Sequence, residues 1–240
     1  MKILVFLFAL LVSLPALALD LSRPGLPANS YTFLPLLDEV ATQYWPAAPS
    51  KSFMAGQIEK ETCITLKHAK CWTPRAELKT SREWGRGFGQ MTTAYRADGS
   101  VRFDALAEVK AMHKDFAAWD DKADPYSPRY QMMALVVKNK GLYASTSKLF
   151  STRRDALAGA LSAYNGGYGG VLQDRTLCSK TPGCDRSLWF GHVENTSMKN
   201  KIAVAGYGQS WFAINRKYPV EILGVKGQRY LAVFGEKSTY

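Results

Sequence analysis

A carboxylic acid on the apolar face of a helix is the feature that most limits how this chain can fold. The run Met54-Ala55-Gly56-Gln57-Ile58-Glu59-Lys60-Glu61-Thr62 predicts a helix that starts near Ser52 and ends about Cys63. Glu61 stands seven positions after Met54 and three after Ile58, so it shares their face. Glu59 follows Ile58 directly and lies about 160° around the helix from Glu61, on the side expected to meet solvent. An acid turned toward a core or cleft loses hydration, which disfavours its charged form and keeps a proton available near neutral pH. The fold must then open a cleft at the end of this helix, unless Glu61 is an ordinary surface carboxylate.

Two other segments offer chemistry that fits such a cleft. Gly85-Arg86-Gly87-Phe88-Gly89-Gln90-Met91 predicts a tight turn whose glycines let the backbone approach a ligand closely. Gln90 brings both a donor and an acceptor, and Met91 reads as a packing residue. Ala163-Tyr164-Asn165-Gly166-Gly167 ends a helix of small residues. A hydroxyl of Tyr164 near Glu61 would orient the acid, and Asn165 would hold a substrate amide or the neighbouring loop. The plainer alternatives are a ligand-free glycine loop, a core tyrosine and a helix-ending asparagine.

In that order, the three segments resemble the soluble-type lytic transglycosylases and the related goose-type lysozymes, whose patterns read roughly Glu-Ser, Gly-x-Gly-Leu-Met-Gln and Ala-Tyr-Asn. The resemblance covers about Phe53 to Gly170. It departs at Thr62, which keeps the hydroxyl of the pattern's Ser, and at Phe88 and Gly89, which replace Leu and Met. It implies a lysozyme-like fold and a peptidoglycan-cleaving enzyme. Glu61 would be the catalytic acid, with Thr62, Gln90, Tyr164 and Asn165 at the glycan.

A glycosidase normally uses two carboxyl groups, but the family it resembles uses one. That single Glu protonates the oxygen between N-acetylmuramic acid and N-acetylglucosamine. It then takes the proton of the muramic C6 hydroxyl as a 1,6-anhydro ring closes. No cofactor and no metal are expected. Glu83 is the acid placed where a second carboxylate would stand, unless it pairs with Arg82, Arg86 or another base. Two alternatives stay open: a muramidase that uses water, and a non-catalytic wall-binding protein with a lysozyme-like fold.

The compartment is read from other features. Lys2, the apolar run Ile3 to Val12, and Ala16-Leu17-Ala18 form a secretory signal with cleavage expected after Ala18. A retained membrane anchor is the competing reading, although a span usually needs about 20 apolar residues. Cys63 with Cys71, and Cys178 with Cys184, read as two local disulfides of an exported chain. Four cysteines allow three connectivities, and zinc is the competing use of them. The net charge of +11 favours anionic polymers such as wall glycans, while its scatter and the lack of a recognition motif argue against nucleic acid. A monomeric protein of the periplasm or exterior is expected, with residues 19–240 as one domain carrying terminal extensions.

Periodicity predicts a mainly helical α+β domain with a small irregular lobe. Expected helices begin with Pro35 in a first turn and end at Pro46, run from Phe103 through Ala105 to Trp119, span about Pro128 to Asn139 with a stop at Gly141, and cover Asp155 to Tyr164 and Ile202 to Tyr218. Cys71 to Gly89 reads as a looped or short-stranded lobe, and Val220 to Phe234 as strand-like.

Overall fold

The computed structural model describes residues 19–237 except 205 and 207; the expected signal at 1–18 lies outside the described residues. The chain is α+β and mainly helical. Its helices are α1 (Ser30–Tyr44), α2 (Ser52–Thr62), α3 (Ala105–Lys110), α4 (Pro128–Thr146), α5 (Arg153–Gly166), α6 (Tyr168–Cys178) and α7 (Trp211–Glu221). A four-stranded antiparallel meander separates α2 from α3: β1 (Glu77–Lys79), β2 (Glu83–Arg86), β3 (Met91–Tyr95) and β4 (Val101–Asp104). The small lobe is therefore made of short strands, and it reaches past Gly89 to Asp104.

The core forms around α5. Its Ala156, Leu157, Ala158, Ala160 and Leu161 are all buried, because small side chains let α4, α6 and α7 approach it closely. Thr152 caps its start by accepting from the Asp155 backbone N–H at 3.0 Å. Helix α4 begins at Pro128, as expected, but runs through Gly141. A helical glycine costs only about 1 kcal/mol, and the next turn packs Leu142 and Tyr143 against the core, with Tyr143 5.6 Å from the ring of Trp45.

Other boundaries also differ from the sequence expectation. Helix α1 starts before Pro35, which lies inside it, and gives out at Trp45 rather than Pro46. The expected helix through Trp119 is split. Phe103 belongs to β4, Asp104 caps the short α3 through the Leu106 and Ala107 N–H groups, and a separate 3-10 turn covers Lys114–Ala118. Helix α7 begins only at Trp211, where the Ser210 hydroxyl accepts from Ala213 N–H at 3.1 Å.

The largest difference lies near the C-terminus. Val220 to Phe234 is not a strand: after α7 the chain kinks at Gly224, whose backbone leaves the helical region, and continues in a short helical turn followed by further turns. Ile222, Leu223, Tyr230 and Val233 are buried there, and the segment lies across α2. The crossing is close. A Cβ on Gly56 would sit 2.5 Å from the Gly227 nitrogen, so both backbones meet where neither residue has a side chain.

Both local disulfides are present, Cys63–Cys71 and Cys178–Cys184. All four sulfurs are thus used, which removes them as zinc ligands. Reduction is expected to lower stability by roughly 2–3 kcal/mol per bond in the chain-entropy model. Denaturant melts with and without reductant test this, and an unchanged midpoint would show that the loops need no staple. Among the described residues no helix is long and apolar enough to cross a membrane.

Candidate active site

A cleft of about 1040 Å³ opens between the helical body and the sheet. The end of α2 supplies Glu61 and Thr62, the sheet lobe supplies Glu83, Gly85 and Gln90, and α4 contributes Lys138. Tyr164 and Asn165 enter from the end of α5. The fold thus brings every proposed catalytic or substrate-contacting residue to one cavity wall. Their individual settings differ from one another.

Glu61 is half-buried, and one side of its carboxyl is held by the protein: the Tyr218 hydroxyl, from α7, donates to Oε1. Among the described residues none hydrogen-bonds Oε2, and the residue lines the cleft. Burial dominates its ionisation and pushes the pKa up to about 7, against the opposing pull of the Tyr218 hydrogen bond and the Lys138 and Lys60 charges. Lys60 is itself paired with Glu221 at 2.6 Å. Lys138 places its ammonium 4.2 Å from the centre of the Tyr164 ring, and burial lowers its pKa.

Glu59, expected at solvent, is only 1% exposed. The C-terminal segment covers it and neutralises it: Arg229 Nε lies 3.1 Å and Lys226 Nζ 3.4 Å away, and the Tyr230 hydroxyl donates at 2.9 Å. That hydroxyl in turn accepts from Trp72 Nε1 at 2.9 Å. Helix geometry was right about the separation of the two acids and wrong about what lies on the second side. Glu59 is a structural carboxylate away from the cleft, and of the two acids of α2 it is Glu61 that lines the cleft.

The glycine turn is built from within. Both hydrogens of the Gln90 side-chain amide are used, donating at 2.9 Å to the carbonyls of Ala76 and Gly87. They brace a turn in which Gln90 itself has a φ of 44°. What remains toward the cleft is its acceptor side. Gly89, the departure from the family pattern, has a local reason: a Cβ there would meet the Tyr164 hydroxyl at 2.5 Å. Without one, Tyr164 donates to the Gly89 carbonyl at 2.7 Å.

Tyr164 therefore ties α5 to the turn and does not hold the acid. That task falls to Tyr218, whose ring stacks on Tyr164 with centroids 6.3 Å apart. Asn165 accepts from Asn215 Nδ2 at 3.1 Å, which links the end of α5 to α7. Thr62 is buried, and its hydroxyl donates to the Ile58 carbonyl and accepts from Trp72 N–H at 2.9 Å, so it fixes the exit of α2. Met91 is buried, as a packing residue should be. Glu83 stands on β2 opposite Ala94 and lines the same cleft as Glu61.

Sequence reasoning missed Tyr218, Lys138 and the buried amides Gln57 and Asn139. Gln57 had a local signal, being a polar residue one turn before Glu61 inside an apolar run; Tyr218 had none. Chemically, the arrangement offers a carboxyl of raised pKa at the wall of a groove, braced by the stacked rings of Tyr164 and Tyr218. No protein-family model matches the chain, and no curated protein sequence is significantly similar to it.

Proposed function

We propose that this protein is an exported lytic transglycosylase that cleaves peptidoglycan glycan strands between N-acetylmuramic acid and N-acetylglucosamine. The observation that carries this reading is Glu61: a carboxyl that lines the cleft, held on one oxygen by the Tyr218 hydroxyl, with its pKa pushed up by burial to about 7. Its proton passes to the bridging oxygen as the C1–O bond breaks, which leaves positive charge on the muramic C1. The resulting carboxylate accepts the C6 hydroxyl proton, and O6 closes on C1. Glu61 ends the cycle protonated, and no water is consumed. The two disulfides and the basic surface support an exported protein acting on an anionic wall.

Glu83 in the same cleft is the observation that favours the second reading, a muramidase in which it activates water. The products separate the two. Mass spectrometry of digested peptidoglycan is expected to show anhydro-muropeptides, lighter than hydrolysed ones by one water, and Glu83→Gln is expected to keep appreciable activity. Reducing-end products from the wild type, with Glu83→Gln inactive, would establish the muramidase instead. Absence of any cleavage by properly folded protein would leave the wall-binding alternative.

A further inference from the structure

We infer that Gln57 and Asn139, two buried amides outside the cleft wall, are positioning residues that fix which oxygen of Glu61 carries the transferable proton. The inference rests on the proposed acid role of Glu61 and adds a hydrogen-bond polarity to it. The chain of contacts begins at a group that cannot change its role. The Leu135 carbonyl, in α4, can only accept, and it accepts from Asn139 Nδ2 at 2.9 Å. The second hydrogen of that amide goes to Gln57 Oε1 at 2.7 Å. Turning Asn139 over would set its oxygen against two acceptors, so its orientation is locked. Its own Oδ1 is left buried without a partner, a cost accepted where the other end must donate.

With Gln57 Oε1 occupied, its Nε2 is the end that faces Tyr218, donating to the hydroxyl oxygen at 3.0 Å. A phenol has one hydrogen, and the oxygen of Tyr218 is already accepting, so that hydrogen goes to Oε1 of Glu61. An oxygen that accepts in this way is not the one that is protonated. The proton resides on Oε2. Gln57, Asn139 and Tyr218 are each no more than 2% exposed, so bulk solvent does not compete along the chain. The charged and titratable groups facing Glu61 are Tyr218 from α7, Lys138 from α4, Tyr164 from α5 and Lys60 from its own helix; Lys138 also senses Glu108. None of these lies between Asn139 and Gln57, so a change at Asn139 reaches Glu61 through Tyr218.

A double-mutant cycle tests this, read by carbon-13 NMR titration of the Glu61 carboxyl and by the pH profile of product release. Tyr218→Phe removes a hydrogen bond to the charged form and is expected to raise the Glu61 midpoint by about one pH unit. Asn139→Leu frees Gln57 to turn its oxygen toward Tyr218, which draws the hydroxyl hydrogen away from Glu61. The midpoint should rise in the same direction by a smaller amount, the alkaline limb of kcat should follow it, and KM should stay put. In the Tyr218→Phe background Asn139→Leu should shift nothing further. Gln57→Met, which keeps the volume and removes the group that would compete for the phenol hydrogen, should leave the midpoint near the wild-type value and abolish the effect of Asn139→Leu; Asn139→Ala serves if the leucine variant does not fold. An unmoved midpoint in the Asn139 variant, or an equal shift with and without the Tyr218 hydroxyl, would overturn the inference. If the wild type releases no anhydro product, the transglycosylase reading fails, while the titration still decides the hydrogen-bond chain.

Discussion

Glu61→Gln is expected to abolish peptidoglycan cleavage while the protein melts at or above the wild-type temperature. General acid catalysis typically contributes about 10²–10⁴-fold, and here the same group serves both half-reactions, so the loss should lie at or beyond the upper end. Gln keeps the size and an oxygen for the Tyr218 hydroxyl to donate to, and it removes an ionisable group from a buried place. Product release and thermal melting, measured on one preparation, separate lost chemistry from lost fold. The sign of the pH dependence follows from the same residue. The acid must start protonated and its folded pKa is about 7, so turnover should hold below that value and fall as the pH rises through it. An active Glu61→Gln protein would remove Glu61 from the mechanism.

Glu59→Gln should produce the opposite pattern, a large loss of stability with no direct role in chemistry. Helix geometry alone predicts a harmless change at a solvent-facing site. The fold instead places Glu59 under the C-terminal segment, where its two oxygens answer Arg229, Lys226 and Tyr230. An amide offers one acceptor oxygen, brings two hydrogens into a ring of donors and leaves both cations without their counter-charge. Breaking a buried pair typically costs about 3–5 kcal/mol. Side-chain exposures of 22% for Lys226 and 29% for Arg229 let both reach water in part, which favours the lower end of that range. For a chain of this size that is a fall in Tm of roughly 6–12 °C. Loss of activity in Glu59→Gln at an unchanged Tm, together with an active Glu61→Gln, would instead make Glu59 the acid.

The two acids show how far local patterns reach. Placing Glu61 and Glu59 on different sides of α2 needs only the helical period, and that separation is real. Knowing that the second side is covered needs the segment around Lys226 to Tyr230, some 167–171 residues away. That segment reads as strand because its apolar residues and glycines satisfy a period of two as well as a helical burial pattern. The misread strand and the misplaced Glu59 are therefore one error. Similarly, Tyr164 was legible as a tyrosine of the cleft, but its hydroxyl had two possible acceptors. Gly89, lacking a Cβ, decided the matter by admitting it to the turn carbonyl.

The sequence by itself determined what rests on neighbours along the chain: the helix that ends in Glu61, the glycine turn before Met91, the small-residue helix ending in Tyr164 and Asn165, and two disulfides between cysteines eight and six residues apart. Helical period, turn chemistry and short loop closure are local, so composition and spacing suffice for them. Only the tertiary structure decided which partner each polar group meets. Tyr218 reaches Glu61 across 157 residues and Gln57 reaches Asn139 across 82. A hydrogen bond depends on distances and directions that are set when α2, α4 and α7 pack together, and no periodicity in the chain encodes them.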